Sequence, residues 1–381
     1  MVGSSQKVAN LQLKKIVLNE IELPLKDAFE TSFGVTTGRR VIIVQVIDKN
    51  GVSGYGECTA MEQPFYNEES VDTSWAVISG SIAPMLSSAA IANASDVGCA
   101  LSPIKGNRMA ISAVETAVWD LEAKEQNIPL WRHLGGSLPA INCGVSIGIQ
   151  PTAELLVERV TRELESGYQR IKIKIKPGQD IALVKAVREK FPDILLSVDA
   201  NSAYRLERDV DILKALDEFG LLMIEQPLEA GDILDHSKLQ QLIRTPICLD
   251  ESITCVRDAR QAIDLGACRI INIKLGRVGG HAAAKEIQEL AKAAGIPVWC
   301  GGMLETGVGR AHNIAMSTLD GFTLPGDVSA SARYWERDII EPPVTVNPNG
   351  TINAPDSAGI GFQVKQTDIQ SLTTRTTTLQ L

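Results

Sequence analysis

Hydrophobic and polar residues alternate in two stretches near the start of the chain, KIVLNEIELPL (15–25) and RVIIVQVIDKNGVSGYGECT (40–59). A period of two predicts strands, with a turn at Asp48–Gly51 dividing the second stretch. Between them KDAFETSFGVTTGR (26–39) is polar, contains glycine and threonine, and reads as a loop. From about Glu69 to Lys124 the pattern turns helical, most plainly in MAISAVETAVWDLEAKEQ (109–126), where small and apolar residues recur at helical spacing. Strands followed by helices predict an α+β domain.

The texture changes at about Ile141. Short apolar runs now alternate with amphipathic segments: INCGVSIGI, RIKIKI, ILLSVDA, LLMIEQ, PICLDE, RIINIKL, IPVWCGG and FTLPGD, with helices predicted over 152–166, 181–190, 207–218, 232–243, 257–265, 281–294 and 307–318. Eight such runs over residues 141–327, about 25 residues apart, predict parallel βα units closed into a (β/α)₈ barrel. A doubly wound open sheet is the alternative, but no GxGxxG follows a strand. The crossover after FTLPGD is not clearly helical, so the eighth unit is expected to be modified. The domain reading is a polar leader (1–14), an α+β capping domain (15–135), a TIM-like barrel (136–333) and a C-terminal segment (334–381) that packs back on the capping domain.

Chemistry in such barrels sits at the C-terminal ends of the strands. In RIKIKIKPG (170–178) the isoleucines alternate with Lys172, Lys174 and Lys176, so the lysines share a face. Lys176 lies beyond the strand end, before Pro177 and Gly178, and reads as solvated. Strands three, four and five end in Asp199, Glu225 and Asp250, one βα unit apart. Three neighbouring carboxylates repel one another unless a hard cation neutralises them, and Mg²⁺ suits an all-oxygen donor set. Glu251 follows Asp250, and by pleat parity only one of the two points inward; Asp250 is favoured. Strand six ends in Lys274, preceded by Asn272 on the same face. Strands two and six face each other across a ring of eight, which puts an ammonium group on each side of a small acid bound at the metal. That geometry suits removal and return of a proton next to a carboxylate, with the metal stabilising the enediolate. A neutral lysine would act as base, its pKa lowered by nearby cations, with Lys172 tuning Lys174.

Composition narrows the field further. The 381 residues carry a formal net charge of −9, which argues against a general nucleic-acid or membrane-surface binder. The seven cysteines form no CxxC pair, and several lie in apolar runs, so they read as buried free thiols of a cytoplasmic protein. The first residues lack an apolar signal core, and no apolar run approaches the ~20 residues of a membrane helix.

These residues resemble the enolase superfamily, muconate-lactonizing-enzyme subgroup, and within it the o-succinylbenzoate synthase and N-succinylamino acid (N-acylamino acid) racemase family. The resemblance covers about residues 15–360 and rests on AFETSFG, GECTAMEQPFY, ETAVWDLEAK, GVSIGIQPT, RIKIKIKPG, VDANSAY, IEQPLE, TPICLDESI, NIKLGRVGG, VWCGGMLETGVGRA and TLPGDVSAS taken together. It implies an enolase-like fold. It implies that Asp199, Glu225 and Asp250 bind Mg²⁺, with Mn²⁺ able to substitute. Lys174 and Lys274 would be the acid/base pair, and Lys172 would assist electrostatically. It implies that the 26–38 loop and the AMEQPFY loop cap the site, and that Ser146, Asn201, Met303 and Glu305 line the pocket. The substrate would be a small carboxylate, and the assembly a homo-oligomer of unstated number.

Rival readings are narrower. GVSIG (144–148) matches GxSxG, but the serine lies inside a strand, and none of the four histidines sits at a strand end. The missing histidine also argues against the branches that use a histidine base after strand seven. A muconate cycloisomerase or dipeptide epimerase would share the two lysines. An inactive barrel acting as a binding module would be expected to lack at least one of the five key residues. Two lysines allow dehydration to o-succinylbenzoate as well as racemisation of an N-succinylamino acid, because both pass through the same enediolate.

Overall fold

The computed structural model describes residues 11–32 and 34–381, so residues 1–10 of the leader expected over 1–14 lie outside the described residues, while Leu13 and Lys14 already belong to the first strand. The capping sheet contains β1 (Leu13–Thr31), β2 (Gly34–Asp48) and β3 (Ser53–Cys58), all antiparallel. Alternation along β2 serves two cores. Ile42, Val44 and Val46 pack with the capping helices, while Val41 and Ile43 join the cluster that fills the barrel. The helix α1 (Arg108–Glu125) lies directly on β3. Gly54 and Gly56 make this possible, since a Cβ there would meet the backbone oxygens of Ala117 and Ala113 at 2.0 and 2.1 Å. Stretch 26–39 is not the loop its polarity suggests. β1 and β2 continue through it, with Phe29 opposite Thr36 and Thr31 opposite Gly34, after an irregularity between Pro24 and Phe29. Hairpin pairing and β-favouring Thr, Phe and Val outweigh the polar composition there.

The barrel strands are β4 (Gly144–Ile147), β5 (Arg170–Lys174), β6 (Leu195–Asp199), β7 (Ile224–Glu225), β8 (Ile247–Leu249), β9 (Ile270–Ile273) and β10 (Val298–Cys300), parallel and in sequential order. Helices α2 (Ala153–Glu165), α3 (Ile181–Lys190), α4 (Leu206–Ala215), α5 (Ile233–Leu242), α6 (Val256–Asp264), α7 (His281–Ala293) and α8 (Gly307–Ser317) alternate with them. The eighth strand expected at FTLPGD is reduced to two single bridges, Phe322 to Val298 and Gly326 to Cys143. Pro325 has no N–H to offer a ladder. The segment still closes the ring, because Gly326 donates to the Asn142 carbonyl at 3.1 Å and Asp327 to that of Cys300 at 2.8 Å. The chain then returns to the capping sheet, where β11 (Thr373–Gln380) pairs antiparallel with β1. All seven cysteines are free, but Cys99 is exposed and Cys255 half-buried, because both lie on surface turns and helix ends rather than in the apolar strands. No helix among the described residues is long and apolar enough to cross a membrane.

Two buried glutamates of the capping domain close the N-termini of barrel helices. Glu57 of β3 accepts hydrogen bonds from Thr306 N (3.0 Å), Thr306 Oγ1 (2.6 Å) and Gly309 N (2.9 Å) at the start of α8. Glu115 of α1 accepts from His281 N (2.8 Å) and Ala282 N (2.9 Å) at the start of α7, and from Trp119 Nε1 (2.7 Å). A carboxylate at a helix N-terminus satisfies orphan N–H groups and meets the positive end of the dipole. Burial outweighs these donors and pushes both carboxyls up to about 7.

The Glu115 contribution to stability therefore falls as pH rises. The folded carboxyl holds its proton to a higher pH than the unfolded one, so stability is lost between the ordinary glutamate range and about 7. The Glu115→Gln variant lacks that slope. The difference in urea midpoint between wild type and variant should move in the variant's favour from pH 5 to pH 8, and a constant difference would count against this account. Glu115→Ala, which strands three donors, should cost about 3 kcal/mol.

Candidate active site

Every residue of β5 is buried. The lysines therefore do not blunt a solvated edge; they enter the barrel mouth, and each finds a carboxylate. Lys172 Nζ contacts Asp327 (2.6 Å), Glu225 (2.8 Å) and Asp199 (3.2 Å). Lys174 Nζ donates to Asp199 Oδ2 (2.5 Å) and Asn201 Oδ1 (2.8 Å). Strand register explains the closeness, since Lys174, Asp199 and Glu225 stand level on β5, β6 and β7. On the far side, Lys274 follows β9 and donates to Asp250 Oδ2 (2.8 Å) and to the Tyr66 hydroxyl (3.2 Å). Asn272 Nδ2 donates to Glu225 Oε1 (2.8 Å). Lys176 is half-exposed rather than free in solvent, because the β1–β2 hairpin brings Glu30 to within 3.2 Å of it.

Charge is balanced group by group. Asp199, Glu225, Asp250, Glu251 and Asp327 face Arg170, Lys172, Lys174, Lys274 and Arg277. Burial alone would lower the pKa of Lys172, but Asp327, Glu225 and Asp199 raise it well above the usual lysine range. Burial opposes charge on Lys274 as well, and Tyr66, Glu251 and Glu225 reverse that, so its pKa is also raised. Burial would raise Asp199, yet Lys174 and Lys172 hold it below the usual range. Asp327, against the same burial, is held at about 2 by Lys172 and Arg170. Glu225 moves the other way, raised by burial and by the Asp199 charge.

The expectation that three carboxylates converge on one ion meets a different arrangement. Among the described residues no group of three or more His, Cys, Asp or Glu side chains is set to hold a metal ion. Each carboxylate is instead turned onto an ammonium or guanidinium group, because the strand ends carry as many cations as acids. The donor chemistry still fits a hard divalent cation: the donors are oxygen only, from adjacent strands, and Glu251 Oε2 is buried without a hydrogen-bond partner among the described residues. Glu251 also departs from the parity argument. β8 ends at Leu249, so Asp250 and Glu251 lie on a turn where alternation no longer holds. Both enter the site, Glu251 accepting from Asn201 Nδ2 at 2.9 Å.

Between the barrel mouth and the capping domain lies a small cavity of about 70 Å³ that opens to solvent. Ser146, Lys172, Lys174, Asn201, Lys274, Met303 and Asp327 line it from the barrel, and Phe29, Thr36, Arg39, Met61 and Tyr66 from the cap. Glu305 is not among the lining residues. Its carboxylate accepts from Asn313 Nδ2 at 3.0 Å and borders a small separate cavity with Glu57. Ser146 lies within β4, and its buried hydroxyl has no partner among the described residues, unlike a nucleophile paired with a base. Sequence reasoning missed Tyr66, Arg170, Arg277 and Asp327. Asp327 closes TLPGD at a strand-like end and carried a readable signal, as did Arg170 at the head of the lysine strand. Tyr66 ends the AMEQPFY loop that the resemblance implies caps the site, so its loop was read correctly although the residue itself was not singled out.

Residues 155–368 match the family model described as enolase C-terminal domain-like, and residues 14–135 match the mandelate racemase / muconate lactonizing enzyme N-terminal domain. The o-succinylbenzoate synthase of Geobacillus stearothermophilus is 52% identical over 95% of this chain and 96% of its own length. The N-succinylamino acid racemase of Thermus thermophilus is 46% identical over 95% of this chain and 98% of its own. A solved structure of an enolase-superfamily member from Listeria innocua superposes with a TM-score of 0.94 at 42% identity, covering 97% of this chain and 99% of that one.

Asp327 holds both Lys172 and Arg170 at 2.6 Å. Asp327→Asn should leave two buried cations short of an anion and destabilise the protein by about 3–5 kcal/mol in chemical denaturation. A loss under 1 kcal/mol would mean that the barrel mouth does not depend on this pairing.

Proposed function

From the premise that this chain belongs to the mandelate racemase / muconate lactonizing enzyme family of the enolase superfamily, we propose that it is a divalent-metal-dependent enzyme that removes a proton next to a carboxylate. Its reactions are dehydration to o-succinylbenzoate, racemisation of N-succinylamino acids, or both. The observation that carries this reading is the pair Lys174 and Lys274, which enter one cavity from facing strands, each bonded to a carboxylate of the barrel mouth. The named relatives support the two reactions.

Asp199, Glu225 and Asp250 would hold Mg²⁺. When bound, the ion supplies Lewis-acid stabilisation of the charge that develops on the substrate carboxylate. The chain's own groups do the rest. Lys174 takes the α-proton from one face of the substrate, acting as the neutral amine. Lys274, on the opposite side of the cavity, gives a proton to the other face. Racemisation in the reverse direction exchanges the two roles. In dehydration, Lys174 serves first as base and then as acid to the leaving hydroxyl, and Lys274 stays cationic beside the enediolate. Lys172, fixed by three carboxylates, remains charged and adds to the positive field around Lys174. Ser146, Asn201 and Met303 position the substrate from the barrel side. The same reading makes the protein a cytoplasmic homo-oligomer.

Lys174→Ala should reduce both activities by at least ~10³-fold, and Lys274→Ala should abolish racemisation. One preparation, assayed with Mg²⁺ and again with EDTA, is tested for o-succinylbenzoate formation and for racemisation of N-succinyl-phenylglycine. Wild-type rates in Lys174→Ala, or turnover untouched by EDTA, would overturn the assignment.

A further inference from the structure

The capping sheet ends in an open edge. Its strand order is β11, β1, β2, β3, so among the described residues only one side of β11 is paired. Leu381 N donates to the Lys14 carbonyl at 2.9 Å, and Gln380 stands opposite Lys15. Along an antiparallel ladder, residues alternate between bonding across the pair and facing away. Arg375, Thr377 and Leu379 therefore turn their backbone groups to β1, and Thr374, Thr376, Thr378 and Gln380 turn theirs to the open side. None of those four N–H groups donates to a loop or a neighbouring element among the described residues. Natural edges are blunted by lysine, proline, a short strand or a covering element. β11 runs for eight residues, mostly threonine, with no lysine or proline, and its one irregularity lies at its start, opposite Glu20 and Ile21. On the helix side of the same edge, Trp75, Met85, Leu379 and Leu381 are only partly buried, and Arg375 lies over the Trp75 ring at 4.0 Å. Unpaired backbone and half-covered apolar side chains thus coincide on one margin of the molecule.

We propose that this margin is a dimer interface, in which β11 pairs antiparallel with β11 of a second copy of the chain and joins two capping sheets into one. The occupant follows from self-complementarity. A two-fold axis through Thr377 sets Thr374 against Gln380 of the second copy and Thr376 against Thr378, so every residue with open backbone groups meets another of the same kind. An axis between two residues would instead set open groups against groups already spent on β1. The register through Thr377 also brings no like charges opposite one another, a pairing that would destabilise a sheet. Arg375 meets Leu379 of the second copy, and its own charge is answered by Glu20 at 2.5 Å. Thr and Leu at the remaining positions suit a pleated, half-buried surface. A specific interface buries roughly 1,000 Å² or more, which a ladder of this length does not reach alone. The helix Ala83–Ser88 packs against β11, so Met85, Trp75, Leu379 and Leu381 stand where the second copy would cover them. Such a contact is isologous and closes on itself, which removes the open edge from both copies. It gives the proposed homo-oligomer its contact surface. No residue of β11 lines the main cavity, so the interface is separate from the chemistry.

The test reads molar mass by sedimentation over a range of protein concentrations, on the full chain and on variants of β11. The wild type should sediment as a dimer or a multiple of one. Thr378→Pro removes an N–H that faces away from β1, so the capping sheet keeps its own ladder. It should raise the dissociation constant of the dimer at least ~10-fold, as expected for the loss of one hydrogen bond from each copy. Far-ultraviolet circular dichroism checks that the variant folds. If it does not, Thr378→Lys, which places an edge-blocking residue at the same position, should weaken the dimer in the same direction. Thr377→Cys puts two thiols on the two-fold axis, at a pair whose side chains stand close because it is not hydrogen-bonded. Mild oxidation should link two chains in this variant and leave the wild type, with its exposed Cys99, unlinked. A monomeric wild type, a mass unchanged by the folded variant, or no cross-link through residue 377 overturns the proposal. Turnover enters none of these readouts, so a failure of the catalytic assignment and a failure of the interface are told apart.

Discussion

The structure depends on matching buried charge at the mouth of the barrel. Lys172 is the centre of that match, bonded at once to Asp327, Glu225 and Asp199 and lying over the Trp299 ring. A buried ammonium group without partners would be far costlier than any gain from packing. The lysine is therefore tolerated only if β5, β6, β7 and the segment after Pro325 hold one register. The same requirement ties the chemistry to the fold, because a slip of one residue on β5 would turn Lys172 and Lys174 outward.

The capping domain completes both the site and the scaffold. Its hairpin and the loop carrying Met61 and Tyr66 supply one wall of the cavity, and Tyr66 reaches from that loop to Asp250 and Lys274. Glu57 and Glu115 reach in the same direction and cap α8 and α7. Those helices follow the strands that deliver Met303 and Lys274. Elements that hold the two domains together thus also fix the backbone from which pocket residues project. Positioning of this kind matters because a displacement of about 1 Å can cost two orders of magnitude in rate.

Much of this was legible in the chain. Local patterning announced the strands and helices of the barrel, since apolar runs and helical faces repeat every 25 or so residues. The spacing of Asp199, Glu225 and Asp250 marked neighbouring strand ends. The failures share a cause. The polar composition of 26–39 concealed a hairpin because pairing between β1 and β2 is a non-local interaction. FTLPGD looked like a strand, yet Pro325 withholds an N–H and leaves only two bridges. Parity excluded Glu251, but the strand stops one residue earlier than the rule assumes.

By itself the sequence determined the order and type of elements and which residues could carry acid, base and oxygen-donor chemistry, because periodicity and side-chain identity are local properties. Only the tertiary structure decided which charge answers which. It placed Asp327 against Lys172 and Tyr66 against Lys274, set Glu305 against Asn313 and left Arg39 beside the cavity without an ion pair among the described residues. Electrostatic partners are chosen by distance in space and by the loss of water between them, and neither quantity is written in the spacing of residues along a chain.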